Sequence, residues 1–229
     1  MRFLLTTIVL FVFVSGFSQE IPNFTALDSL YREDQFYVRF VYNNLSRFPS
    51  GLHQDKLSPG IALGFLRDMP INKSRTVAIA TGLGYSFSEY NQNLLISNSP
   101  SGNSYQILNP NVAYSKDRIT IHQIEVPLEF RWRTSSPESH KFWRIHSGIL
   151  VSYMFSNHYR ITSDVANYSI SNNNDFNKIS YGPYFTIGWN TWNAYVYYGL
   201  NTIFKSDVKI DNQNINMNTV NIGLIFYIL

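Results

Sequence analysis

Glu125 and Glu129 stand four positions apart in QIEVPLEFRWR, residues 123–133, and paired carboxylates are the first groups to weigh for acid–base chemistry. On an extended strand that spacing separates them by roughly 13 Å at ~3.3 Å per residue, too far for a glycosidase pair. His122 and His146 fall in separate segments, and neither H-x-E nor H-E-x-x-H spacing occurs. G-x-S-x-G and P-loop patterns do not occur. His158, Ser163 and Asp164 sit close together, but in a polar stretch where such residues are ordinary loop composition. The expectation is a chain with no catalytic residues, no cofactor, no metal site and no small-molecule substrate.

The charged residues gain a different meaning from the elements that carry them. Val77, Ile79, Thr81, Leu83, Tyr85 and Phe87 alternate with Ala78, Ala80, Gly82, Gly84 and Ser86, so one face is large and apolar and the other small. In 123–133, Ile124, Val126, Leu128, Phe130 and Trp132 share a face opposite Gln123, Glu125, Glu129, Arg131 and Arg133. Val220, Ile222, Leu224, Phe226 and Ile228 repeat the pattern at the C-terminus. Phe36 to Tyr42, Ile61 to Phe65, Trp143 to Phe155, Pro183 to Trp189 and Val196 to Phe204 behave similarly. The pattern predicts eight strands.

Composition says where such strands can live. Aromatic residues make up 16% of the 229 residues and charged residues 14%, against roughly 25% charged in ordinary soluble domains. Yet mean hydropathy is −0.14, and no run reaches the ~18 apolar residues of a spanning helix. There is no cysteine, which excludes a disulfide scaffold. Residues 1–18, MRFLLTTIVLFVFVSGFS, read as a signal peptide: Arg2, an apolar stretch from Phe3 to Val14, then Gly16 and Ser18 before a cut at Gln19. Residues 19–35 have mixed polarity, with room for one short helix, and are expected to form a periplasmic lead-in, leaving 36–229 for the strands. Without Arg2 the net charge falls from +3 to about +2, and no basic patch or aromatic–basic interleave appears in the linear sequence, so nucleic acid is not an expected partner.

An exported all-β chain is either a secreted sandwich or an outer-membrane barrel. Connections alternate between long (about 46–57, 91–117, 157–177, 205–217) and short (about 70–75, 134–141, 190–193). Outer-membrane barrels show this exchange of long outer loops and short periplasmic turns, whereas Greek-key connections have no reason to. An even strand number puts both ends on the periplasmic side. The long loops are rich in Asn and Ser, as in SNNND at 171–175 and DNQNINMN at 211–218, which predicts solvated, mobile segments. All four tryptophans flank short turns, Trp132 with Trp143 and Trp189 with Trp192, while Phe87, Phe155 and Phe204 sit at the opposite strand ends. Aromatics gathered at two levels are expected of two membrane interfaces, with outer-membrane lipid between.

The fold class expected is therefore an eight-stranded antiparallel up-and-down transmembrane β-barrel. Its lumen would be just wide enough for side chains to fill. Alternation aims Arg39, Glu125, Glu129, Arg131, Arg133, Arg144 and His146 inward, where they must satisfy one another as a structural polar plug. Pro127, of the same parity, marks a bulge or a local break in pairing.

IEVPLEFRWRTSSPESHKFWRIHSG, residues 124–148, resembles the central hairpin of the PorT family (PorT/SprT-like) of outer-membrane barrels of Bacteroidota, and the similarity extends from the leader to the final strand. The G-L-G-Y-S-F stretch at 82–87 also fits but is shared by many small barrels. The resemblance implies a non-enzymatic accessory or assembly role in type IX protein secretion, and in gliding species motility, with other secretion-system or envelope proteins as partners.

Overall fold

The computed structural model describes residues 34–228, apart from 101, 110–111, 135–141 and 211–212. The expected signal peptide at 1–18 and all but the end of the expected 19–35 lead-in lie outside the described residues. Eight long strands form the wall: β1 (Gln35–Ser46), β2 (Pro59–Pro70), β3 (Val77–Asn91), β4 (Tyr114–Arg133), β5 (Trp143–Ser163), β6 (Ile179–Trp189), β7 (Trp192–Thr202) and β8 (Asn218–Ile228). Each pairs antiparallel with its neighbours in chain order, and β8 closes on β1 from Phe36 opposite Ile228 to Ser46 opposite Asn218. Closure leaves no edge strand, as lipid requires, because an unpaired backbone group has no water to turn to there.

Side-chain alternation assigns the two faces. Phe36, Phe40, Leu63, Leu83, Leu128, Phe130, Ile149, Ile187, Leu224 and Ile228 stand exposed around the outside, an apolar belt that only lipid can cover. Inside, glycines leave room for large rings from neighbouring strands to lie along the wall. The Tyr37 hydroxyl would meet a Cβ placed on Gly84, and its ring lies against Gly64, which pairs with Gly84 across β2 and β3. Tyr184 uses Gly148 in the same way. Tyr195, Tyr197 and Tyr227 fill the remaining width with Leu66, Leu150 and Ile225.

Pro127 interrupts the ladder without shifting it. Thr81 pairs with Leu128 and Gly84 with Glu125 in one register, while the two positions between them make no bridge, and the Thr81 hydroxyl donates to the Pro127 carbonyl at 3.0 Å. A proline cannot donate to the ladder, and at the break the Thr81 hydroxyl gives the Pro127 carbonyl a donor. The bulge falls elsewhere, between β4 and β5, where His122 pairs with Ser156 but Gln123 with Met154. Phe155 is the extra residue, and beyond it β5 changes phase, so that Asn157, Tyr159 and Ile161 turn inward.

The long connections carry strands of their own where unbroken loops were expected. β4 and β5 run 20 and 21 residues, about twice a membrane span, and stay paired as far as Tyr114 and Ser163. Leu94–Ser99 and Gly102–Ile107 form a hairpin, Asn167–Ser171 pairs with β5, and Lys209–Ile210 pairs with Gln213–Asn214. Together they enclose an apolar core above the lumen that includes Leu45, Leu94, Ile96, Ile119, Tyr159, Phe176, Phe204 and Met217. One of the asparagines that suggested solvation is wired into it, while Asn172, Asn174, Asn214 and Asn216 are exposed. Asn173 exchanges hydrogen bonds with Asn157, donates to the Tyr105 hydroxyl at 2.8 Å and accepts from Asn103 at 2.8 Å. Buried amides paired in this way order a loop that composition alone marks as loose.

Candidate functional site

The lumen holds the chemistry, in two layers. Nearer the middle, Arg39 from β1 meets Glu125 from β4, and one guanidinium nitrogen lies 2.7 and 2.8 Å from the two carboxylate oxygens. The Arg39 guanidinium also stands 4.6 Å over the Tyr195 ring. Toward the short turns, Arg131 is the hub. Its Nε donates to Glu129 at 2.7 Å and its Nη1 to Asp68 at 3.1 Å, while Arg133 approaches the other Asp68 oxygen at 3.0 Å. His146 Nδ1 lies 3.7 Å from Glu129 and 3.3 Å from the Tyr227 hydroxyl. Arg133 Nε donates to the Arg75 carbonyl at 3.0 Å, and Arg144 donates to the Asn190 carbonyl, so the lower layer is tied to two of the short turns.

All seven inward residues expected from alternation are buried in the lumen, but they do not form one cluster. Arg39 and Glu125 pair apart from Glu129, Arg131 and His146, and Arg133 and Arg144 sit lowest against the turns. Asp68, which bridges two arginines, was not expected. The alternating run of β2 reads as ending at Phe65, which leaves Asp68 between that run and the turn at about 70–75. The lumen tyrosines were also missed, although Tyr37 shares the parity of Arg39, and that parity was the available signal.

Above the Arg39–Glu125 pair lies a cavity of about 40 Å³ lined by Ser88, Gln123, Ser152, Thr219 and Asn221 among others. It has room for ordered water and no more. The apolar core of the cap closes over it. In the cap, burial pushes the Asp117 carboxyl up to about 8, although the Tyr159 hydroxyl facing it works the other way.

The aromatic residues occupy two levels. Trp132, Trp143, Trp189 and Trp192 are exposed at the short-turn end, with Trp143 and Trp189 edge to face at 5.5 Å and Trp192 against Phe226 at 4.8 Å. At the other level Phe87 and Phe155 flank His122, at 5.4 and 6.1 Å between ring centres, and Tyr85 bonds His122 at 2.7 Å. Phe204 is a correction. β7 loses register against β8 between Tyr198 and Thr202, which ends the alternation that would have aimed Phe204 at lipid. It is fully buried in the cap instead, 4.4 Å from Phe176 and 5.5 Å from Tyr105.

The polar loop trio is not assembled. His158 Nδ1 pairs with Ser171 Oγ at 2.9 Å, and Ser163 Oγ closes a turn on the Ala166 carbonyl at 3.2 Å.

A closed wall, an apolar outer belt between two aromatic levels and a filled lumen define a small transmembrane β-barrel of the outer-membrane kind. The sequence matches the family described as Outer membrane protein beta-barrel domain over residues 17–205, and the chain belongs to that family. Its place is accordingly the outer membrane. No curated protein matches the chain.

Proposed function

We propose that this barrel is a non-enzymatic component of type IX protein secretion, an accessory or assembly scaffold that in gliding species also serves motility. The observation that carries the scaffold reading is the double closure of the lumen, by the Arg39–Glu125 and Asp68–Arg131–Glu129 layers and then by the cap core. A solute pore needs an aqueous path, and here charged side chains pair with one another across the lumen. The secretion role draws on the resemblance of residues 124–148 to the PorT hairpin. Partners are other secretion-system or envelope proteins, met through the turns, the lead-in or the cap. The N-terminal leader is cleaved near Ser18-Gln19.

A deletion strain tests the role. Cargo proteins trapped in the periplasm, released again when the gene is restored, are the expected result. Normal cargo secretion would overturn the secretion role, and if it came with detergent sensitivity it would make the barrel an envelope-integrity protein.

A further inference from the structure

Above the level of Phe87, His122 and Phe155, the outward face of β4 and β5 gathers cations that are far apart in sequence. The register sets Arg118 opposite Arg160, Thr120 opposite His158 and Lys116 opposite Thr162. Ile119, Ile121, Tyr159 and Ile161 between them are buried in the cap, so alternation turns Lys116, Arg118, His158 and Arg160 outward. Like charges directly across a strand pair repel. Glu89 of β3 answers Arg118 at 2.9 Å, but Arg160 is exposed and makes no ion pair among the described residues. On its other side the strand Asn167–Ser171 offers Ser169 opposite Arg160 and Ser171 opposite His158, hydroxyls and no carboxylate.

The strip lies just above the lipid headgroups, within the reach of an arginine side chain. Arg118 lies four residues beyond His122, ~13 Å along the strand at ~3.3 Å per residue, and about 10 Å along the membrane normal once the strand tilt of ~40° is included. The headgroup region extends roughly 5–8 Å beyond the hydrocarbon on each side, and long arginine side chains bend toward it. Guanidinium groups bind phosphate through paired charged hydrogen bonds, and a phosphate would relieve the repulsion between them.

We propose that this strip binds the phosphate of a phosphorylated outer-leaflet lipid, clamped by Arg118 and Arg160 and flanked by Lys116 and His158, with acyl chains lying over Phe87 and Phe155. The full chain, folded in detergent, is titrated with bisphosphorylated lipid A, dephosphorylated lipid A and inorganic phosphate, and bound lipid is counted by native mass spectrometry. Arg118→Gln with Arg160→Gln weakens binding of the phosphorylated lipid by about tenfold, equivalent to ~1.4 kcal/mol. Lys205→Gln with Lys209→Gln, the same charge change on exposed cap residues, leaves it unchanged. Wild-type protein binds the dephosphorylated lipid only as weakly as the double arginine variant does, and millimolar inorganic phosphate does not displace the phosphorylated lipid. Equal binding by wild type and the arginine variant overturns the site, and full displacement by inorganic phosphate overturns its assignment to lipid. If heat-modifiable mobility shows the double variant unfolded, Arg160→Gln alone carries the test, with a smaller loss supporting the site and none overturning it.

Discussion

Replacing Glu125 with alanine strands the Arg39 guanidinium in the lumen, where Tyr195 stacks on it but no other carboxylate among the described residues is bonded to it. Removing one partner of a buried pair typically costs about 3–5 kcal/mol, whereas replacing both with apolar groups of similar volume is often neutral. Glu125→Ala therefore lowers the unfolding free energy of the refolded barrel, read from urea titration, by that amount, and Arg39→Met with Glu125→Leu recovers most of it. Equal losses in the single and double variants would show that the pair does not hold the middle of the barrel. Asp117 behaves oppositely to an ion-paired carboxylate. Its folded form is raised to about 8 by burial, so the folded state binds the proton more tightly than the unfolded chain does. The stability it contributes is complete below the ordinary aspartate range near pH 4 and is lost as pH rises toward 8. Asp117→Asn removes that slope, and thermal melts at pH 5 and pH 8 should differ less for the variant than for wild type.

At the scale of the strand, glycine positions set how the lumen packs. Gly84→Ala drives a methyl group into the Tyr37 hydroxyl, and overpacking of this kind costs about 1–3 kcal/mol. In a Tyr37→Phe background the loss should shrink, as urea titration of the four proteins would show. Strand number, turn alternation and the inward set were legible because half of each wall strand faces lipid and half a polar lumen. The outer parts of β4 and β5 were not legible, since the bulge at Phe155 changes the phase just where the apolar residues become sparse. Phe204 misled for a related reason, as its parity holds only while β7 keeps register with β8. The cap core draws Leu45 and Ile119 from the outer ends of β1 and β4, and Leu52, Leu94 and Met217 from three different connections. No local period marks such a set.

For the whole molecule, the composition follows from having three environments in one chain. The outer belt takes aliphatic and aromatic residues, the lumen takes paired charges and tyrosines, and the cap hides apolar residues under an Asn- and Ser-rich surface. Mean hydropathy cancels to −0.14 although little of the molecule is neutral in character. The central claim is that the lumen is a load-carrying plug and conducts nothing, leaving the surfaces to act. Recording from the full chain reconstituted in a planar bilayer tests this most directly. The account predicts a quiet membrane with no stable channels in the wild-type protein. Discrete, long-lived openings that vary with the charge of Arg39 or Glu125 would contradict it.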